Sequence, residues 1–343
     1  MKEYKLAFLG FGNVGQALAR LLLRKQEEIK DQYEVMFHTV AIATGSHGRA
    51  INPQGIDLES ALARVESGQP LDDLSASPAP KDNLAFLKVS RANVLFENTP
   101  VSYTDGQPAL DHLTTALELG MHAFTANKGP VVHGYRQLKA LAEEQGKKFF
   151  FESTVMDGAP VFGLFRETLP AAQVTGIQGV LNSTTNLILT RMEAGESFDE
   201  AVAYAQSIGI AETDPSGDVD GWDAAVKISA LITVLMDTPF TPDQVDRQGI
   251  REITPERIAA ARADVKRWKL VCSAVRENGA IKASVSPQQV DTHSPMYTID
   301  GTTSIVTIQS DVLGDLSLVE TDPGPHTTAY GLLADFLNAA RAD

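Results

Sequence analysis

The sequence predicts an α/β protein in two parts, a doubly wound parallel sheet followed by a mixed α/β domain. Three observations predict it. An apolar run at the start of the chain leads straight into a glycine-rich turn and a helix-spaced segment. Strand-like and helix-like segments then alternate up to about residue 152, the pattern of a parallel sheet covered by helices on both faces. Beyond about Ser153 strands and helices follow in less regular order, which marks a second domain.

Residues 4–10 (YKLAFLG) read as the first strand, and residues 12–30, with Val14, Leu18, Leu21 and Leu22 at helical spacing, as the first helix. Residues 35–43 form a second strand. Residues 67–83, with Pro70, Pro78 and Pro80 among Ser, Gly and Asp, form a surface loop. There follow a strand at 93–97, a helix at 108–119 stopped by Gly120, a strand at 121–125, a helix at 130–145 stopped by Gly146, and a strand at 148–152. In the second domain the strand-like stretches are 174–181, 269–275, 281–285 and 304–310. The helices there are 160–168, 185–194, 198–208, 222–235 and 255–263. Residues 327–340 form a last amphipathic helix, apolar along Leu332, Leu333, Phe336 and Leu337.

Composition narrows the function. With 343 residues, 43% hydrophobic and 21% charged, the chain is globular and long enough for two domains. Its 29 Lys and Arg face 44 Asp and Glu, and a net charge of −15 repels nucleic-acid phosphate and anionic lipid. No run approaches the roughly 20 apolar residues of a membrane span, and Met1-Lys2-Glu3 lacks signal-peptide layout, so a cytoplasmic protein is expected. The one cysteine, Cys272, excludes an internal disulfide and a multi-cysteine zinc site. It falls in a predicted strand and reads as a small buried hydrophobe.

Gly10-Phe11-Gly12-Asn13-Val14-Gly15 sits between a strand and a helix, the context of the Rossmann dinucleotide-binding fingerprint. The first glycine makes the turn, the second admits the pyrophosphate, and the third packs helix on strand, while the helix N-terminus offers N–H donors to phosphate. The second strand is followed by Thr44-Gly45-Ser46-His47-Gly48-Arg49, which has no acid to bind ribose hydroxyls. Ser46, His47 and Arg49 could instead meet a 2′-phosphate, which favours NADP and leaves NAD open. The plainer reading is an ordinary polar loop.

Four other stretches carry candidate chemistry. Glu97-Asn98-Thr99-Pro100 and Thr125-Ala126-Asn127-Lys128-Gly129-Pro130 both follow sheet strands, where ligands bind in doubly wound folds. Lys128 is either a solvated charge or a cation aimed at the cofactor crevice. Ser183-Thr184-Thr185-Asn186 lies between a strand and a helix and is a cap or a binding turn. In residues 208–227, Glu212, Asp214, Asp218, Asp220 and Asp223 precede Lys227. Asp223 and Lys227 are four apart on a predicted helix and share a face. As an exposed ion pair they would contribute about 0.3–0.5 kcal/mol. As chemistry, the lysine moves a proton and the acids hold a substrate ammonium.

In order, GFGNVG, ENTP followed by DGQPALDHLTTALELG, TANKGP, FESTV with GAP, NSTTNLIL and AETDPSGDVDGWDAAVK resemble the homoserine dehydrogenases, from residue 5 to about 335. The resemblance implies NAD(P)-dependent interconversion of L-aspartate 4-semialdehyde and L-homoserine, a step toward threonine, methionine and isoleucine. It implies that Lys227 is the general acid/base, that Lys128 is a second active-site lysine, and that Asp223 contacts the substrate hydroxyl or orients Lys227. Glu212 and Asp218 match positions that hold the substrate amino group, and Ser183 and Thr184 the substrate-binding turn. The cofactor residues are then Gly10, Phe11, Gly12, Asn13, Val14, Gly15, Ser46, Arg49, Thr99 and Lys128. A monovalent cation, sodium, is implied at Glu152, Val155, Asp157 and Ala159.

The resemblance also implies a Rossmann domain at 1–145 to which residues 319–343 return, a catalytic and dimerisation domain at 146–318, and a homodimer. Two domains and the returning helix use up the 343 residues, so an amino-acid-binding (ACT) regulatory extension is not expected. The sequence departs from the family at Ser183, where many members have glycine, at residues 155–158, and at residues 323–329. The rival readings are a dehydrogenase of another amino or semialdehyde substrate on the same scaffold, and a catalytically silent cofactor sensor.

Overall fold

A computed structural model describes residues 1–342. The chain divides into two compact units, Met1–Pro160 with Gly324–Asp343 and Val161–Pro323.

The first unit begins β1 (Lys2–Leu9), α1 (Asn13–Tyr33), β2 (Val35–Ala43), β3 (Arg49–Ile51), α2 (Leu58–Glu66) and α3 (Asn83–Ser90). It continues β4 (Val94–Glu97), α4 (Ala109–Glu118), β5 (His122–Thr125), α5 (Lys128–Glu144) and β6 (Phe149–Phe150). The sheet order is β3-β2-β1-β4-β5-β6, parallel throughout except for the β2–β3 hairpin. Leu9 pairs with Glu97 and Glu97 with Thr125, so the carboxyl ends of β1, β4 and β5 are level and the three loops that leave them share one edge.

The second unit holds α6 (Val161–Gly163), β7 (Val174–Val180), α7 (Ser183–Glu193), α8 (Phe198–Ser207), α9 (Ser216–Val219) and α10 (Trp222–Leu235). It ends with β8 (Asp246–Arg247), α11 (Pro255–Ala263), β9 (Arg267–Glu277), β10 (Ala280–Val290), β11 (Ser304–Ser310) and β12 (Gly314–Glu320). Its sheet runs β12-β11-β7-β9-β10-β8, antiparallel except where β8 meets β10. Cys272 is fully buried in β9.

The last helix, α12 (Pro325–Ala342), belongs to the first unit. Phe336 packs edge-on against Tyr4 with ring centroids 5.2 Å apart and against Phe96 at 6.1 Å. Asp335, also on α12, accepts from Glu152 N–H at 2.8 Å.

Several elements differ from the sequence reading. The strand expected over 148–152 stops at Phe150, and Glu152–Thr154 forms a 3₁₀ turn instead. The single helix expected over 160–168 is one α-turn followed by a π-helical run, Leu164–Thr168. The loop over 67–83 contains the 3₁₀ turn Asp72–Leu74. β3 and β8 are three and two residues long, too short to leave a period.

Candidate active site

In the first unit the glycine-rich turn has the geometry its spacing implies. Gly10 adopts φ +90°, its N–H donates to Ala43 O at 3.0 Å, and a β-carbon there would collide with the Asn98 main chain. Gly12 caps α1 and has open space where its β-carbon would be. A β-carbon on Gly15 would stand 2.6 Å from Gly10 O, which is why helix and turn close so tightly. Phe11 is buried edge-on against Phe8 at 5.6 Å, and Asn13 and Val14 begin the helix with their N–H groups at its open end. A pyrophosphate needs this surface: donors, a positive helix end and no side chain in the way. The side-chain amide of Asn98, beside Gly10, is buried with no hydrogen-bond partner among the described residues. Both observations fit a bound dinucleotide.

The two loops after β4 and β5 are tied by one network. Glu97 is fully buried and accepts from the Thr99 hydroxyl and from Thr99 N–H at 3.1 Å. Thr125 Oγ1 lies 3.1 Å from Glu97 Oε2 and accepts from Asn127 N–H at 2.9 Å. Asn127 Nδ2 donates to Thr99 O at 3.1 Å, and its Oδ1 caps α5 by accepting from Gly129 N–H at 3.0 Å. Thr99 and Lys128 are therefore held together, with half-buried Lys128 as the first residue of α5.

After β2, Ser46 Oγ lies 2.8 Å from His47 Nδ1, and Arg49 donates to Pro80 O at 3.1 Å with its guanidinium 5.6 Å from the Phe86 ring centre. Around the expected cation residues, Glu152 and Val155 are buried and Ala159 N–H donates to Met156 O at 2.8 Å. Asp157 has left-handed φ +39°, and its carboxylate accepts from Gly324 N–H at 2.6 Å and from the Thr327 hydroxyl at 2.8 Å. That carboxylate is committed to the start of α12.

In the second unit the centre is Asn182. It caps α7 by accepting from Thr185 N–H at 2.8 Å, while its Nδ2 reaches Asp218 Oδ1 at 2.6 Å and Asp223 Oδ2 at 3.0 Å. One turn along α10, Lys227 Nζ lies 3.2 Å from Asp223 Oδ2 and donates to Leu181 O at 2.8 Å. Burial, and then the like charge of Asp223, push the Asp218 carboxyl above the usual carboxylate range, while Asn182 and Lys227 pull the other way. Asp218, Asp223 and Lys227 thus form one cluster.

Thr184 lies at its edge and donates to Ile210 O at 3.3 Å, and the Ser183 hydroxyl is 3.3 Å from Ser304 Oγ. Glu212 is exposed, its main-chain oxygen fixed by Gln206 at 3.1 Å, and its carboxylate has no hydrogen-bond partner among the described residues. A lysine held between a carboxylate and a carbonyl is placed to move a proton, and the acids beside it suit a substrate ammonium.

Sequence reasoning missed Asn182, Glu97 and Asn127 as organisers. Asn182 carried a signal, since Asn before Ser-Thr-Thr at a strand-to-helix junction is a capping pattern. Glu97 carried none.

Comparison with known proteins agrees across the chain. Residues 160–337 match the family model for homoserine dehydrogenase. Residues 10–152 match that for the homoserine dehydrogenase NAD binding domain. An NAD(+)-dependent homoserine dehydrogenase of Pseudomonas canavaninivorans is 36% identical over 98% of this chain and 96% of its own. A homoserine dehydrogenase of Methanocaldococcus jannaschii is 34% identical over 97% of each. Among solved structures, a hyperthermophilic archaeal homoserine dehydrogenase mutant in complex with NADPH superposes with a TM-score of 0.84 at 29% identity, covering 100% of this chain and 99% of that one.

Proposed function

This chain belongs to the homoserine dehydrogenase family, and on that premise we propose that it interconverts L-aspartate 4-semialdehyde and L-homoserine with a nicotinamide dinucleotide. The observation that carries the assignment is the Asp218, Asp223 and Lys227 cluster gathered by Asn182.

When bound, the nicotinamide supplies or accepts the hydride. Every other role falls to the protein. Lys227 gives a proton to the oxygen that becomes the homoserine hydroxyl and takes it back in the reverse direction, a role that contributes about 10²–10⁴ in rate. Asp223, one turn before it, orients the ammonium. Asp218 and Glu212 hold the substrate amino group, and the turn at Ser183 and Thr184 closes around the substrate. Gly10 to Gly15 and Thr99 bind the dinucleotide, and Lys128 adds a positive charge near the nicotinamide. Nucleotide binding belongs to the first unit, and catalysis and dimerisation to the second.

Three finer readings accompany this one. A sodium ion is held by the Glu152 carboxylate and the main-chain oxygens of Val155, Asp157 and Ala159; a melting temperature equal in sodium and choline chloride would remove it. The protein is a homodimer, a reading supported by edge strand β12, where Val319 is exposed together with Val312 and Leu313 just before it. It works in the cytoplasm, and no helix among the described residues is long and apolar enough to cross a membrane.

The deciding experiment is an initial-rate assay of L-homoserine oxidation by the wild type and Lys227→Ala. Turnover is expected in the first and a loss of about 10²–10⁴ in kcat in the second, with dinucleotide affinity retained. A wild type silent on homoserine would overturn the assignment.

A further inference from the structure

In a fold of this kind the adenosine ribose lies near the end of β2, where a carboxylate accepts hydrogen bonds from its hydroxyls. Residues 43–49 contain none, yet the fold brings one in from a distant segment. Leu71 N–H donates to His47 O at 2.8 Å and pins the 3₁₀ turn Asp72–Leu74 onto the β2–β3 hairpin. There the Asp72 carboxylate presses so closely on Gly48 that a β-carbon on that glycine would collide with Oδ2. Gly48 takes a left-handed φ of +73° and closes the hairpin, its carbonyl accepting from Thr44 N–H at 3.1 Å. Asp72 is exposed, and among the described residues its carboxylate has no hydrogen-bond or ion-pair partner.

The groups that could greet a 2′-phosphate are occupied. Arg49 is held by Pro80 O and the Phe86 ring, and Asp82 is close enough to act on its charge. Arg49 and Lys81 line a cavity of about 350 Å³ with Asp82 and Asp111, so two carboxylates match the two cations there. Ser46 is paired with His47, and Thr44 Oγ1 accepts from His47 N–H at 2.6 Å.

We propose that Asp72 is a specificity-determining residue that makes the chain prefer NAD to NADP, supplying from the 67–83 segment the ribose-facing carboxylate that β2 lacks. The inference rests on the dehydrogenase reading above. The neutral ribose of NAD offers this carboxylate hydroxyl donors, whereas the 2′-phosphate of NADP brings like charge against it.

Calorimetric titration of the full chain with NAD⁺ and with NADP⁺, without substrate, tests this in the wild type, Asp72→Asn and Asp73→Asn. The wild type is expected to bind NAD⁺ more tightly. Asp72→Asn narrows the affinity ratio about tenfold, chiefly by tighter NADP⁺ binding. Asp73→Asn, which removes a neighbouring carboxylate paired with Arg64 at 2.9 Å, leaves the ratio unchanged. A wild type that prefers NADP⁺, or an Asp72→Asn ratio equal to the wild type's, overturns the inference and leaves the dehydrogenase reading intact. A wild type that binds neither dinucleotide overturns both.

Discussion

Asn182 donates to Asp223 at 3.0 Å through the same amide nitrogen that donates to Asp218, and so it keeps two mutually repelling carboxylates side by side. Replacing it with alanine removes that donor and the cap of α7 together. Asn182→Ala is expected to lose about 1 kcal/mol of stability in urea titration, typical of a lost cap. Its KM for homoserine should rise by about tenfold, as expected when a charge-assisted hydrogen bond is lost. An unchanged KM would show that Asp218 does not hold substrate.

Gly12 separates binding from folding. Its β-carbon would meet nothing within 4 Å, so Gly12→Ala should melt at the wild-type temperature. The added methyl enters the space assigned to the pyrophosphate, and dinucleotide affinity should fall about tenfold or more. Wild-type affinity in this variant, measured by calorimetry, would move the phosphates elsewhere.

Lys269 on β9 is fully buried, donating to Asn186 Oδ1 at 2.8 Å and to Ile299 O. Burial above all, with the charge of Arg267, lowers its amine from 10.5 to about 8. Between those two values the unfolded chain carries the proton and the folded one has released it, so this group adds stability as pH rises through the window. Below about pH 8 both states are protonated and the full cost of burying the charge remains. Relative to Lys269→Met, the wild type should gain up to about 3 kcal/mol of unfolding free energy between pH 7 and pH 10. A constant difference between the two proteins across that range would contradict it.

Cys272 should be inert in the folded protein. Burial pushes its thiol up to about 12, so at mildly alkaline pH it is neither ionised nor reachable. Labelling with a chromogenic disulfide reagent should follow the rate of unfolding in native buffer and reach one equivalent at once in denaturant. Rapid labelling of the native protein would show the thiol accessible.

What the sequence made legible was local. The apolar run and spaced glycines around Gly10 are read from neighbours along the chain, and the four-residue step from Asp223 to Lys227 already sets two side chains on one helical face. Contacts between distant segments left no such mark. Asn182 meets Asp218 across 36 residues and Asp223 across 41, a meeting fixed by how α7, α9 and α10 pack. Glu97 read as part of a turn because nothing in ENTP reveals that Thr99 and Thr125 will both bond to it. Asp72 stood in a proline-rich loop 24 residues from the Gly48 it touches. Periodicity reports which face of an element is buried. It does not report which polar group waits on the other side.

The return of α12 to the first unit makes the interior of that unit depend on contacts that span the chain. Phe336 sits among Tyr4, Phe96 and Phe124, so this hydrophobic core cannot close until Phe336 has met Tyr4 across 332 residues of chain. The first unit thus closes only through this long-range contact, whereas Val161–Pro323 is contiguous and needs no segment from outside it. A chain truncated before Pro325 would carry every strand of the substrate-side unit and a nucleotide-side unit with its aromatic interior open to water.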